Sequence, residues 1–332
     1  MKAIICTKYG SPDVLQLQEV EKPAPNDDEV LVKVHAASVT FSNLLLATGS
    51  PFFFRLMAGG LLKPKPIILG SDVAGLVEAV GRNVKKFRPG DEVFGYLAGN
   101  DGKKGSYAEY VCALEKAFEL KPVNLTWEQA AAVPEAALVA LQAVRDDGQI
   151  RKGGTVLVYG ASGGIGTFAT QIAKAFGAEV TGVCSTKNVD LVRSLGADHI
   201  IDYTKEDFIK RGQRYDLIVA TAGFRWIHDY NSALNPKGIY VCTGGAWRQV
   251  FQTLILAKRL SEPGGKKLGI LTMNPNFDFA TLKELIEAGK VKPVIDRIYP
   301  LNETGKALAY YGKRHARGKV VISILFNNDV NF

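Results

Sequence analysis

The middle of the chain alternates two kinds of apolar pattern. Residues 156–159, 179–184, 199–202, 216–220 and 238–243 are short runs rich in Val, Ile and Leu, the mark of strands buried on both faces. Between them lie stretches with helix-spaced apolar positions, such as 168–176, stopped by Gly177, and 189–195, stopped by Gly196. Thr126 opens this region with a capping-box pattern reaching Gln129. Alternation of this kind predicts a parallel sheet covered by helices on both faces, and right-handed crossovers make it doubly wound.

The flanking parts read differently. Residues 30–37, 67–70, 72–81, 87–94 and 105–112 are strand and turn pieces, some alternating apolar with polar, with Pro-Gly chemistry at Pro89-Gly90. Beyond residue 265, a strand is expected at 268–273, a helix at 280–288 and a terminal strand at 319–324. This tail is expected to return to the first domain. The expected division is therefore a β-rich domain of residues 1–124 and 267–332 around an α/β domain of residues 125–266. The aromatic segment around Phe52, Phe53 and Phe54 is either core or a lip over an apolar pocket.

Candidate chemistry begins where the strand 156–159 runs into glycines. Gly160-Ala161-Ser162-Gly163-Gly164-Ile165-Gly166 fits A-x-G-x-x-G from Ala161, and G-x-x-x-G-x-G from Gly160. A strand, a tight glycine turn and a helix N-terminus make a dinucleotide phosphate site, because the backbone must approach a pyrophosphate closely. No Gly-Lys-Ser/Thr follows, so it is not a P-loop. The motif stands in mid-chain, and no tyrosine has a lysine four positions on; both points argue against the short-chain dehydrogenase pattern. The next strand ends in Ser185-Thr186-Lys187, with no carboxylate before Asp190. Where an NAD enzyme places an acid for the ribose hydroxyls, two hydroxyls and a cation suit a 2′-phosphate. The expected cofactor is NADPH.

Composition narrows the field further. The chain has 332 residues, 47% of them hydrophobic, and a formal net charge of +8. Its Lys and Arg are scattered without a cluster, which speaks against nucleic acid. No apolar run reaches the length of about 18 residues that a membrane helix needs. The N-terminal apolar run is too short for a signal peptide, and four widely spaced cysteines point to the cytoplasm. Cys184 reads as a small buried residue. His35, His199, His228 and His315 show no metal-ligand spacing, so no metal is expected. Without a Lewis acid, the acceptor expected is one that spreads charge onto its own oxygen, a quinone or an enone.

Together these residues resemble a known family. The stretches 34–39, 70–75 with 78–81, 88–94, 105–110, 160–166, 195–198 and 317–321 are similar, over essentially the whole length, to the zinc-independent, zeta-crystallin-like quinone oxidoreductases of the medium-chain dehydrogenase/reductase superfamily. The resemblance implies a GroES-like β-barrel domain, a Rossmann domain, a site in the cleft between them, and a homodimer. Zinc-dependent relatives carry Gly-His-Glu where this chain has Gly70-Ser71-Asp72. The resemblance also implies that Lys187, Tyr203 and Arg314 hold the 2′-phosphate. Near the nicotinamide, Thr40 stands for a common Asn, Asn43 for an Asp, and Leu45 for a Tyr. Thr40 and Asn43 are the candidate catalytic residues, as hydrogen-bond donors to a carboxamide or an oxyanion. No strong general acid stands out, so the proton is expected from water. The expected activity is NADPH-dependent reduction of a quinone or an α,β-unsaturated carbonyl. Alternatives are an enoyl-thioester or 2-alkenal reductase, a zinc-free alcohol dehydrogenase-like enzyme, or a non-enzymatic NADPH-binding sensor or adaptor.

Overall fold

The computed structural model describes every residue except 51, 53–54, 56–59, 61, 65–66, 98–104, 275–277 and 325–332. Eight strands come first: β1 (Lys2–Cys6), β2 (Gln16–Glu19), β3 (Glu29–Ser38), β4 (Ile67–Ile68), β5 (Asp72–Val80), β6 (Glu92–Tyr96), β7 (Tyr110–Leu114) and β8 (Phe118–Leu120). Six follow in alternation with helices: β9 (Thr155–Tyr159), β10 (Glu179–Cys184), β11 (His199–Asp202), β12 (Tyr215–Ala220), β13 (Leu234–Cys242) and β14 (Lys267–Ile270). The last two are β15 (Ile295–Pro300) and β16 (Lys319–Ser323).

The chain divides into two compact units. The first takes Met1–Glu135 and Ile295–Phe332. Its larger sheet has the order β15-β16-β3-β5-β6-β8, with β7 also on β3. β3 is the hub because period-two alternation lets it pair with β5, β7 and β16 while Val30, Val32 and Val34 point into one core. That core also takes Val73, Val77, Phe87, Val93 and Phe118. A second sheet, β2-β1-β4, covers another apolar cluster built on Ile4, Cys6 and Tyr107.

The second unit, Ala136–Val294, is a six-stranded parallel sheet in the order β11-β10-β9-β12-β13-β14. Numbered within the unit this is 3-2-1-4-5-6, with its reversal of direction between β9 and β12. In such sheets ligands bind beyond the carboxyl ends of the strands at that switch point. Val156, Leu157 and Val158 are fully buried, as strands covered on both faces require.

The boundaries differ from those read in the sequence. Residues 267–294 belong to the parallel unit, because β14 pairs with β13 from Ile239↔Lys267 to Cys242↔Ile270 and Leu268 packs into that unit's core. Hydrophobic pattern alone does not say which sheet a short strand will join. Residues 125–135 fall with the first unit instead. Phe53 and Phe54 lie outside the described residues, and Phe52 is exposed.

Candidate functional site

In the parallel unit, β9 enters the glycine turn and the helix Gly164–Ala175 leaves it. Phe168 and Ile172, one turn apart on that helix, are fully buried and hold it on the sheet. The glycines divide the work. Gly160 has φ +92, and a Cβ there would lie 2.7 Å from Ala222 and Thr221. It supplies the tight turn, the task the A-x-G-x-x-G template gives to its first position, where Ala161 stands fully buried. Gly166 brings helix and turn together, since a Cβ would lie 2.1 Å from the Gly160 carbonyl oxygen. Gly163 is different. A Cβ there would meet only that carbonyl, at 3.5 Å, so the glycine leaves open space in front of the helix. Gly163 is also the N-cap and gives no side-chain cap. The first-turn N–H groups at Gly164, Ile165 and Gly166 are thereby left for an anion. Ser162 accepts a hydrogen bond at Oγ from Asn188 Nδ2 (2.9 Å). The donor set and the open cradle fit a dinucleotide pyrophosphate.

The residues expected to hold a 2′-phosphate follow β10. Ser185 is half-buried, and Thr186 and Lys187 are exposed. Lys187 has no ion-pair partner among the described residues. Cys184 and Asp202 are paired between β10 and β11, and Tyr203 N–H donates to the Cys184 carbonyl (3.0 Å). Ser185 and Tyr203 therefore leave adjacent strand ends, and Tyr203 is 58% exposed. Arg314 belongs to the first unit, where it takes φ 57, one of two non-glycine residues of positive φ among the described residues. Its guanidinium lies over the Phe41 ring, 6.0 Å from the centroid.

One residue in this region escapes a linear reading. Sequence spacing leaves it free of carboxylates, but the fold brings Asp202 onto the Thr186 hydroxyl. Asp202 also accepts from Thr204 N–H and Oγ1 (3.0 and 2.7 Å). These bonds, the Thr186 one first, hold its carboxyl below the usual range. Asp202 is 8% exposed and spent on its neighbours, Lys205 Nζ at 3.7 Å among them, while Lys187 is exposed with no ion-pair partner among the described residues.

In the first unit, Thr40 caps the helix Phe41–Thr48, accepting Asn43 N–H at 3.4 Å. Thr40 and Asn43 are both 3% exposed. Asn43 Oδ1 accepts from Thr40 Oγ1 (2.9 Å) and from Tyr107 OH (3.0 Å). Much of their hydrogen-bonding capacity is thus used internally. Around them lies a group that motif reading missed. Asp72, fully buried, meets Lys319 Nζ at 3.1 Å, accepts the Ser38 hydroxyl, and accepts Glu135 N–H at 2.9 Å. The Glu135 carboxyl oxygen Oε2 accepts from Ser71 Oγ (3.2 Å) and Ser42 Oγ (3.5 Å). Ser71 Oγ and Ser42 Oγ in turn reach Thr40 Oγ1 at 3.3 and 2.8 Å. Burial first, and the Asp72 charge second, push the Glu135 carboxyl up to about 7. One signal could have marked it: Glu135 is the only charged residue between Glu128 and Arg145, inside an alanine-rich run.

The remaining candidates are structural. His35 stacks on Trp127, with centroids 4.4 Å apart, and His199 Nε2 lies 2.7 Å from Glu179. All four cysteines are buried, and burial raises the Cys184 thiol to about 11. Among the described residues no group of three His, Cys, Asp or Glu side chains is placed to hold a metal, and no helix is long and apolar enough to cross a membrane.

Comparison with known proteins bears on both units. The family description "Alcohol dehydrogenase GroES-like domain" matches residues 26–123, and "Zinc-binding dehydrogenase" matches 195–322. The second name implies zinc, but Ser71 and Asp72 do not fit one: the first offers a neutral hydroxyl and the second is spent on Lys319. The chain is 36% identical over 334 residues to the 2-methylene-furan-3-one reductase of Solanum lycopersicum, covering 97% of this chain and 79% of that protein. It is 34% identical over 335 residues to the chloroplastic NADPH-dependent alkenal/one oxidoreductase of Arabidopsis thaliana, with 97% and 79% covered. Its structure is similar to the quinone oxidoreductase from Coxiella burnetii, with TM-score 0.86, 30% identity, and 98% and 99% covered.

Proposed function

The chain belongs to the quinone oxidoreductase branch of the medium-chain dehydrogenase/reductase superfamily, a GroES-like unit joined to a Rossmann unit, and from that membership we propose an NADPH-dependent, zinc-independent reductase of quinones or α,β-unsaturated carbonyls. The observation that carries this reading is the open cradle at Gly163, before an uncapped helix N-terminus. NADPH, when bound, supplies hydride from C4 of its nicotinamide. The chain's own residues do the rest. The N–H groups at Gly164, Ile165 and Gly166 hold the pyrophosphate, with Ala161 and Ser162 shaping the turn. Lys187, with Ser185 and Thr186, holds the 2′-phosphate by charge-assisted hydrogen bonds, and Tyr203 lies beside them. Arg314 is assigned to the same phosphate from the family resemblance. Thr40 and Asn43 orient the reacting end.

Two features favour unsaturated carbonyls within this class. The relatives from Solanum lycopersicum and Arabidopsis thaliana are named for a methylene-furanone and for alkenals and alkenones. The pair Ser71 and Asp72 offers no Lewis acid for a simple ketone, whereas a conjugated acceptor moves its own charge to oxygen. A homodimer and a reducing cytoplasmic setting complete the proposal. β14 supports the first as the outer strand of the parallel sheet, and four buried cysteines set far apart in the sequence support the second.

The test is NADPH oxidation with a panel of quinones and enones. Saturable turnover is expected. NADPH binding without oxidation across the panel would return the chain to a sensor or adaptor. Lys187→Glu is expected to raise the KM for NADPH ten- to a hundredfold, the range of about 1.5–3 kcal/mol for a charged hydrogen bond, and to leave NADH nearly unchanged. An unchanged NADPH/NADH ratio would remove Lys187 from the phosphate site.

A further inference from the structure

We propose that Glu135 is the proton reservoir of the reduction, delivering its proton through the hydroxyls of Ser71 and Ser42. The inference rests on the reductase reading above and deepens it. The geometry is a short hydroxyl network on a buried ionic base. Glu135 Oε2 lies 3.2 Å from Ser71 Oγ and 3.5 Å from Ser42 Oγ. Both hydroxyls meet again at Thr40 Oγ1, at 3.3 and 2.8 Å. Glu135, Ser71 and Ser42 are partly exposed, whereas Thr40, Asp72 and Lys319 behind them are buried. A proton can therefore leave from the solvent-facing rim of the network and be replaced there from water.

Several neighbouring groups tune Glu135. β5 brings Asp72, whose charge disfavours the carboxylate, and β16 brings Lys319, whose charge favours it. The Ser71 and Thr40 hydroxyls also favour the carboxylate. Burial and the neighbouring carboxylates push the phenols of Tyr96, Tyr107 and Tyr311 well above their usual range. The phenols thus keep their protons near neutrality, and the serines and Thr40 can only relay. The Glu135 carboxyl is raised to about 7, where a donor matched to its task should sit.

Hydride and its electron pair form a C–H bond at the far carbon of the enone. The π pair moves to leave an enolate, and the nicotinamide is the group oxidised. The enolate takes a proton from the Ser71 or Ser42 hydroxyl, forming the second bond to hydrogen. That hydroxyl regains a proton from the Glu135 carboxyl, which becomes a carboxylate and is reprotonated by water.

The experiment compares wild type, Glu135→Gln and Glu135→Asp, with NADPH and 3-nonen-2-one, across pH 5.5–9. In wild type, kcat should fall tenfold per pH unit above about pH 7. Glu135→Gln should lower kcat by about 10²–10⁴-fold and abolish that inflection, with NADPH Kd unchanged. Glu135→Asp should restore part of kcat with a displaced inflection. A Ser42→Ala/Ser71→Ala double variant keeps the carboxyl and should lose kcat likewise, which covers the case of a misfolded Glu135→Gln protein. Infrared titration, independent of turnover, should show a protonated-carboxyl band near pH 6 that fades above pH 8 and is missing in Glu135→Gln. An active wild type whose pH profile survives in Glu135→Gln overturns the donor role alone, as does absence of the band. A wild type that oxidises no NADPH with 3-nonen-2-one or 1,4-naphthoquinone overturns the reductase reading and the donor role with it.

Discussion

At the scale of single residues, identical glycines carry opposite consequences. A methyl at Gly166 would lie 2.1 Å from the Gly160 carbonyl. Gly166→Ala must push helix and turn apart and should cost about 1–3 kcal/mol, as overpacking does, read as a lowered denaturant midpoint. Gly163 has φ −84, ordinary for any residue, and room for a methyl. Gly163→Ala should keep its melting temperature yet bind NADPH at least tenfold more weakly, by calorimetry, because the methyl projects where phosphate approaches. Glu135 makes a second residue-scale prediction. Its carboxyl is raised from 4.5 to about 7, so the folded state holds that proton more tightly than the unfolded chain. Its contribution to stability is present below about pH 4.5 and lost as pH rises through about 7. Glu135→Gln should flatten that part of the stability profile measured by urea unfolding; an identical slope in both proteins would sink the assignment.

At the scale of elements, the helix Trp247–Leu260 and the strand β14 stand out. The helix packs on β14 and buries Gln249, Gln252, Thr253 and Ala257. On its other side Leu254 and Ile255 are 64% and 62% exposed. β14 pairs on one side with β13 and ends the sheet there, leaving a row of backbone groups able to accept another strand. If the chain forms the proposed homodimer through this edge, Leu254→Asp with Ile255→Asp should shift sedimentation from dimer to monomer while the parallel sheet survives in circular dichroism. A dimer untouched by both charges would place the interface elsewhere. Such elements were only half legible in sequence. The strand at 268 could be read from its apolar run, but its partner strand could not. A run of four residues carries no mark of which edge it will join, and pairing is decided by where the preceding helix delivers it.

At the scale of the molecule, cofactor binding and folding are linked. A ligand that binds only the folded state adds about 2.7 kcal/mol at a hundred times its Kd, so NADPH should raise the melting temperature by a few degrees. NADH at equal concentration should raise it less if Lys187 holds the 2′-phosphate. The sequence by itself determined the parallel unit, its glycine turn, the helix it feeds and the hydroxyl-and-lysine ending of the next strand. Each of these is local: strand, turn and helix lie within about twenty residues, and period and spacing are read directly from neighbours. Only the tertiary structure decided that residues 267–294 complete the parallel sheet, that Asp202 stands beside Thr186, and that Glu135, Ser71, Asp72 and Lys319 form one cluster. The last two of these are 247 positions apart. Nothing in a linear pattern announces such a contact, because a buried charge shows its partner only when strands far apart in the chain are packed side by side.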